Sequence, residues 1–226
     1  MKNVLLAIVL PLMALSVSLL AAGQAAASGS QEQPSLPDQV MEAAHSGNAQ
    51  AVEQLLAKGV GIDARGKDGL TALIVAAASG KPAIVDLLLK KGAGIDLRDN
   101  RGDTALHFAV MSSNVESVKL LLDKGASVDL QEEDGLTPLM LSIVSGPIDI
   151  VKLLLDKGAN TEARDKNGFT MLMAASGGGL LDMVKLLLEK GAHINAQSND
   201  GTTALKLAVS NGKTDVAAFL RARGAQ

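Results

Sequence analysis

The sequence has no cysteine, no tryptophan and no tyrosine, and only three phenylalanines. Without cysteine there is no disulfide framework, no thiolate metal site and no cysteine nucleophile. With so few rings and a formal net charge of −3, the chain lacks both the stacking platforms and the basic surface that nucleic-acid binding demands. Histidine is also scarce. His45, His107 and His193 fall at unrelated positions, and no pair has the i, i+4 spacing of a helical zinc motif. Aliphatic and small residues are abundant instead. Hydrophobic residues make up 47% and charged residues 20%, a balance that folds rather than stays disordered. The 226 residues suffice for one full-sized core or for an elongated array.

The first segment reads as an address. Lys2 is the only charge before Glu32, and residues 4–20 form an apolar run interrupted by Pro11, Ser16 and Ser18. Ala25-Ala26-Ala27 follows. A basic start, an apolar stretch and a small-residue site describe a secretory signal peptide over residues 1–27, cut after Ala27. The rival is an uncleaved anchor, since the run lies near the lower end of the ~17–25 residues of a spanning helix. Residues 28–35 are polar and contain Pro34, as a flexible linker does. The expected location is the periplasm or beyond, after cleavage; the alternative is membrane anchoring by residues 4–20. A cysteine-free domain is compatible with an oxidising compartment when packing alone holds it.

The remainder is one pattern repeated. Gly69, Gly102, Gly135, Gly168 and Gly201 are spaced 33 residues apart, and so are Gly59, Gly92, Gly125, Gly158, Gly191 and Gly224. Thr71, Thr104, Thr137, Thr170 and Thr203 keep the same period, as do Leu73, Leu106, Leu139, Leu172 and Leu205. A fixed period of this length signals stacked supersecondary units. Each threonine can cap a helix by accepting from a first-turn amide, and Pro138 suits a first helical position. A short helix with small residues follows (Ala76, Ala109, Ala175, Ala208), then a turn at Gly47, Gly80, Gly146, Gly179 and Gly212, where only Ser113 departs. A second helix carries apolar residues at i, i+3, i+4, such as Ile84, Leu87 and Leu88. It ends on a basic residue (Lys58, Lys91, Lys124, Lys157, Lys190, Arg223) that complements the helix dipole, followed by a glycine able to take the left-handed cap. The polar link to the next unit has room only for a β-turn finger.

Gly135-Leu136-Thr137-Pro138-Leu139 and Leu154-Leu155-Asp156-Lys157-Gly158-Ala159 resemble the ankyrin-repeat family pattern. The resemblance covers residues 36–226 and implies an all-α ankyrin-repeat solenoid of stacked helix pairs with β-turn fingers. It comprises a helix-only first unit at 36–68 and units starting at 69, 102, 135, 168 and 201. The polar end at Arg221 and Arg223 suits a capping repeat. The family's histidine after the motif leucine survives only as His107; Ile74, Met140, Met173 and Lys206 replace it, which puts the loop ties it makes in doubt. The unit starting at 168 departs most, with Met171, Met173 and the run Gly177-Gly178-Gly179, and is expected to open first.

Motifs for chemistry fail on inspection. Gly212-Lys213-Thr214 resembles the end of a phosphate-binding loop, but Leu207 stands where that loop needs glycine. Gly177–Gly179 lies between helices, not after a strand. Arg101-Gly102-Asp103 is an adhesion-type tripeptide at a finger whose glycine the repeat already explains. No nucleophile, base and oxyanion donor are brought together by any spacing.

In ankyrin repeats, partners contact finger tips and the exposed side of the inner helices. Carried over, this implies an apolar centre of Leu136, Phe169, Met111 and Val144, with Leu70 as a further apolar contact and Asp68, Arg101, Asp103, Asp134, Asn167 and Asp200 as a polar rim. The implied function is a non-catalytic protein–protein interaction module outside the cytoplasm, accessory to or protective of a periplasmic enzyme. The alternatives are an inhibitor or immunity protein against a secreted toxic protein, a membrane-tethered adaptor, and a small-molecule or catalytic role, which would need a pocket of convergent polar groups. No cofactor, metal, nucleic acid or small-molecule substrate is expected, and the protein is read as a monomer with one unknown protein partner.

Overall fold

A computed structural model describes residues 34–145 and 147–226 of the chain. The expected signal peptide, and the linker before Pro34, lie outside the described residues. Leu36–Gln226 forms one compact unit. No helix of the described residues is long and apolar enough to cross a membrane.

The described residues form helices and turns without strands. The helices come in six pairs, one inner and one outer helix each: α1 (Leu36–Ser46) with α2 (Ala49–Ala57), α3 (Ala72–Ala78) with α4 (Pro82–Lys90), α5 (Ala105–Met111) with α6 (Val115–Asp123), α7 (Pro138–Ser145) with α8 (Ile148–Asp156), α9 (Met171–Gly178) with α10 (Leu181–Glu189), and α11 (Ala204–Ser210) with α12 (Thr214–Ala222). Isolated helices this short are marginal in water. They persist here because each buries one face between two neighbours. Ala76, Ala109, Ala175 and Ala208 are fully buried and let successive inner helices approach closely. Leu88, Leu121, Leu154, Leu187 and Leu220 fill the space between inner and outer rows without exposure. The inner row packs more extensively than the outer row.

The caps follow the repeat. Thr71, Thr137, Thr170 and Thr203 accept from the third amide of the following helix at 3.3–3.4 Å. Thr104 forms a reciprocal capping box with His107, in which its own N–H also donates to His107 Nδ1 at 3.1 Å. Since that nitrogen accepts, Nε2 carries the hydrogen and faces the Leu136 carbonyl at 3.4 Å. The turn between α5 and α6 uses Ser113 at φ 55°, a left-handed conformation that glycine takes at Gly47, Gly80, Gly179 and Gly212.

Polar ties join the loops of successive units. Arg65 Nη1 donates to the Arg98 carbonyl at 2.7 Å, Arg98 Nη1 to that of Gln131 at 2.8 Å, Gln131 Nε2 to that of Arg164 at 2.9 Å, and Arg164 Nη1 to that of Gln197 at 2.6 Å. A second ladder runs from Asp63, Asp129, Glu162 and Asn195, whose side-chain oxygens accept amides of Gly94, Asn160, His193 and Gln226 at 2.8–2.9 Å. The units therefore stay registered although four of the five motif histidines are absent.

Candidate protein-interaction surface

Three of the five fingers are each folded by one carboxylate side chain. Asp99 Oδ1 accepts from the amides of Arg101 and Asp103, Glu132 Oε1 from those of Asp134 and Leu136, and Asp165 Oδ1 from those of Asn167 and Phe169, all at 2.8–2.9 Å. Adjacent tips are stitched by backbone: the amides of Asn100, Glu133, Lys166 and Asn199 donate to the carbonyls of Asp68, Arg101, Asp134 and Asn167 at 2.8–3.0 Å. The fingers thus form a continuous edge in which every residue of one register sits beside its equivalents in the neighbouring units.

Three registers carry the expected contact residues. At the tips, Asp68, Asn167 and Asp200 are exposed, while Arg101 and Asp134 are half-buried. Two pair with charges of the protein itself: Asp134 with Lys166, and Arg101 with Glu132 at 3.7 Å and Glu133 at 3.6 Å. Asp200 accepts from the Ser198 hydroxyl at 2.6 Å and the Thr202 amide at 3.0 Å, and these bonds hold its carboxyl down at about 2. After the finger glycine, Leu70, Leu136 and Phe169 are half-buried. They pack partly on the stack and leave part of each side chain in water, as an apolar contact row requires. On the inner helices Ala78, Met111 and Gly177 are half-buried at equivalent positions. Val144 occupies the same register in α7; its side chain lies outside the described residues.

Asp103 corrects the expectation of an exposed rim residue. It is 4% exposed, in the register that holds the half-buried Leu70, Leu136 and Phe169 in other units. Burial, aided by Asp99 and Glu132, pushes its carboxyl up to about 7 against the opposing effect of Arg101. The adhesion-type tripeptide is therefore not displayed. Glu132 is also buried, and burial raises its carboxyl against the two amide bonds that favour its charged form. Arg101 Nε and Glu132 Oε2 find no hydrogen-bond partner, since their ion contacts are longer than hydrogen bonds.

His107 is fully buried in its loop-tying place. His45 is half-buried and hydrogen-bonded to the Ser79 hydroxyl at 2.7 Å. His193 is exposed beside Glu162 at 3.4 Å. Among the described residues no group of three or more His, Asp or Glu is placed to hold a metal ion. Sequence reasoning missed Arg65, Arg98, Gln131 and Arg164 as loop ties. Their signal was available: they recur at the 33-residue period, as the glycines do.

The family model described as ankyrin repeats (3 copies) matches residues 40–132, 94–165, 125–198 and 160–226. Among solved structures, a chain in the complex of the predatory endopeptidase Bd0816 from Bdellovibrio bacteriovorus with immunity protein Bd3460 has TM-score 0.74 and 29% identity, covering 82% of this chain and 97% of that one. The ankyrin repeat domain of Bcl-3, a member of the IkappaB protein family, has TM-score 0.75 and 32% identity, covering 83% of this chain and 86% of that one. No curated protein matches the sequence.

Proposed function

The chain belongs to the ankyrin-repeat family, and from that premise we propose that it is a monomeric, non-catalytic protein-binding module that works outside the cytoplasm and restrains a hydrolytic enzyme there. The observation that carries the binding surface is the half-buried apolar row Leu70, Leu136 and Phe169 beside Met111, at the junction of fingers and inner helices. A repeat stack offers this face as one rigid strip, so little ordering entropy is lost on binding. The exposed Asp68 and Asn167 border the strip. Of the two roles open to such a module, accessory protection of a periplasmic enzyme and neutralisation of a toxic one, the second has the firmer support. A chain of the same fold, matched over 97% of its length, comes from a complex of an endopeptidase with an immunity protein. The N-terminal charge and small-residue pattern supports export; an uncut residue 4–20 segment would tether the same module to a membrane.

The test is in-cell crosslinking of the full-length chain carrying a C-terminal tag, with mass spectrometry of its N-terminus and its partners. The expected result is a start at Ser28 and one dominant extracytoplasmic hydrolase. Leu136→Glu with Phe169→Glu should lower affinity for that partner roughly thirtyfold, the loss of a ~2 kcal/mol anchor. Lys152→Glu on the outer row should leave it unchanged. Retained capture by a folded Leu136/Phe169 double variant defeats the proposed surface, and an intact Met1 with cytoplasmic partners defeats the location.

A further inference from the structure

Charge is balanced along most of the finger edge and unbalanced at one seam. Residues 63–70 and 162–169 each carry two acids and two bases, whereas residues 96–103 and 129–136 together carry seven acids against Arg98 and Arg101. Neither arginine is bonded to Asp103. Arg98 Nη1 donates to the Gln131 carbonyl at 2.8 Å. Arg101 stays beyond hydrogen-bond reach of Glu132 and Glu133, and Glu132 Oε2 is left without a partner. Asp134 turns to Lys166 of the next finger. On the other flank, Arg65 directs its guanidinium to the Gly69 and Arg98 carbonyls, and Lys67 and Asp68 are exposed. His107, from the first turn of α5, is held between the Thr104 amide and the Leu136 carbonyl. Asp103 is buried here, and its carboxyl accepts no hydrogen bond from the described residues.

A buried carboxyl with no donor, set beside Asp99, Glu132 and Glu133, fits the fold only as the neutral acid. Once ionised it can regain water in two ways: the whole stack unfolds, or the seam alone parts. Parting the seam breaks less. One backbone bond, from the Glu133 amide to the Arg101 carbonyl at 2.8 Å, and the Arg98 tie join the two finger tips. We propose that this seam is a pH latch, closed while Asp103 is protonated and opening locally once it ionises, with the helices on both sides still stacked. Burial first, then Asp99 and Glu132, raise the Asp103 carboxyl to about 7, and burial raises Glu132 as well. An open seam returns Asp103 to its ordinary 3.8. The closed state therefore weakens as pH rises from about 4 to about 7 and no further above that. His107, lowered to about 4 by burial, works in the opposite direction. Asp103 shares the register of Leu70 and Leu136, so an open seam divides the proposed contact strip. That consequence rests on the proposed function; the latch itself does not.

Native-state amide exchange, corrected for intrinsic rates, tests the latch in the free full-length chain at pH 5.5 and pH 8. Asp103→Asn is the reference, because His107 titrates in both proteins and cancels from their ratio. Protection of the Glu133 amide in the wild type, relative to Asp103→Asn, should fall about thirtyfold between the two pH values. The amides of Lys166 and Asn199, which make the equivalent bond at other seams, should change little. Glu132→Gln keeps an amide-accepting oxygen but removes a neighbouring charge, and should shrink the change. A ratio that does not depend on pH overturns the latch. So does an equal change at Lys166 and Asn199, which would mean unfolding of the whole stack. If Asp103→Asn does not fold, carbon-13 titration of the wild-type Asp103 carboxyl takes its place. A midpoint near 7, with protection lost at Glu133 but kept at Lys166, supports the latch; a midpoint at the ordinary 3.8 overturns it. None of these readouts involves a partner, so failure of the latch leaves the proposed function standing.

Discussion

A carboxyl group removed from water favours its protonated form, and Asp103 sits where its register elsewhere holds Leu70, Leu136 and Phe169. The unfolded chain releases this proton near the ordinary value of 3.8, the folded one at about 7. Between those values the folded state binds more protons than the unfolded state, so stability falls as pH rises from about 4 to about 7 and then levels off. His107 acts in the opposite sense. Burial lowers its imidazole from 6.5 to about 4, and the Leu136 carbonyl only partly offsets this, so stability is lost as pH falls through that window. Asp103→Leu should therefore stabilise the protein by an amount that grows with pH, reaching on the order of 2 kcal/mol at pH 8. Thermal melts at pH 4.5, 6 and 8 read this directly, and a gain independent of pH refutes the account. The burial of Asp103 was legible only in retrospect. A lone aspartate beside a finger glycine reads as solvated surface, while the column of its equivalents, mostly apolar, marks a packed position.

At the scale of one helix pair, the glycine and threonine series were legible because each position has a single chemical solution: a left-handed turn or an oxygen that caps an amide. The ties between fingers are marked only by their period: Arg65, Arg98 and Gln131 recur every 33 residues, but they donate to backbone carbonyls of the next unit, and a carbonyl leaves no mark in sequence to name the acceptor. Those ties hold whether or not the motif histidine is present, which is why its loss at Ile74, Met140 and Met173 leaves the stack registered. The pair α9–α10 remains the weakest by composition. α9 ends in Gly177 and Gly178, while Gly179 takes φ 78° as its left-handed cap. A Cβ at Gly178 would make only ordinary contact, 3.5 Å from Leu180 Cγ, whereas one at Gly179 would lie 2.8 Å from Lys213 Cδ on a backbone that disfavours side chains. Gly178→Ala should thus stabilise by about 0.5–1 kcal/mol, and Gly179→Ala should destabilise. Native-state amide exchange should show residues 168–200 opening before the other finger units, with Gly178→Ala raising protection there selectively. Protection uniform along the stack defeats this expectation.

For the whole molecule, the exposed face of the unit starting at 201 differs from the faces buried between units. The column Ile74, His107, Met140 and Met173 is buried because each residue is covered by the following unit. In the last unit the same column holds Lys206, exposed and folded back so that its Nζ donates to the Gly201 carbonyl at 2.8 Å. That replacement puts a hydrated charge where a further repeat would stack. Val209, equivalent to the buried Ala77 and Val110, stays exposed on this end face, so the cap depends on the lysine to interrupt an otherwise apolar surface. At Lys206 the family histidine gives way to an exposed, hydrated charge, whereas at Met140 and Met173 it gives way to buried packing. One sequence column carries two physical roles that differ only in whether a neighbour follows. Lys206→Met places a thioether side chain beside Val209 and makes one apolar patch of the two without touching the interior, and end faces that were kept apart should pair. Sedimentation velocity should show concentration-dependent association of Lys206→Met in the micromolar range, and Val209→Lys added to it should restore a single monomeric boundary. A variant that sediments as monomer at all concentrations would show that the end face is guarded by the terminal Arg221 and Arg223 rather than by Lys206.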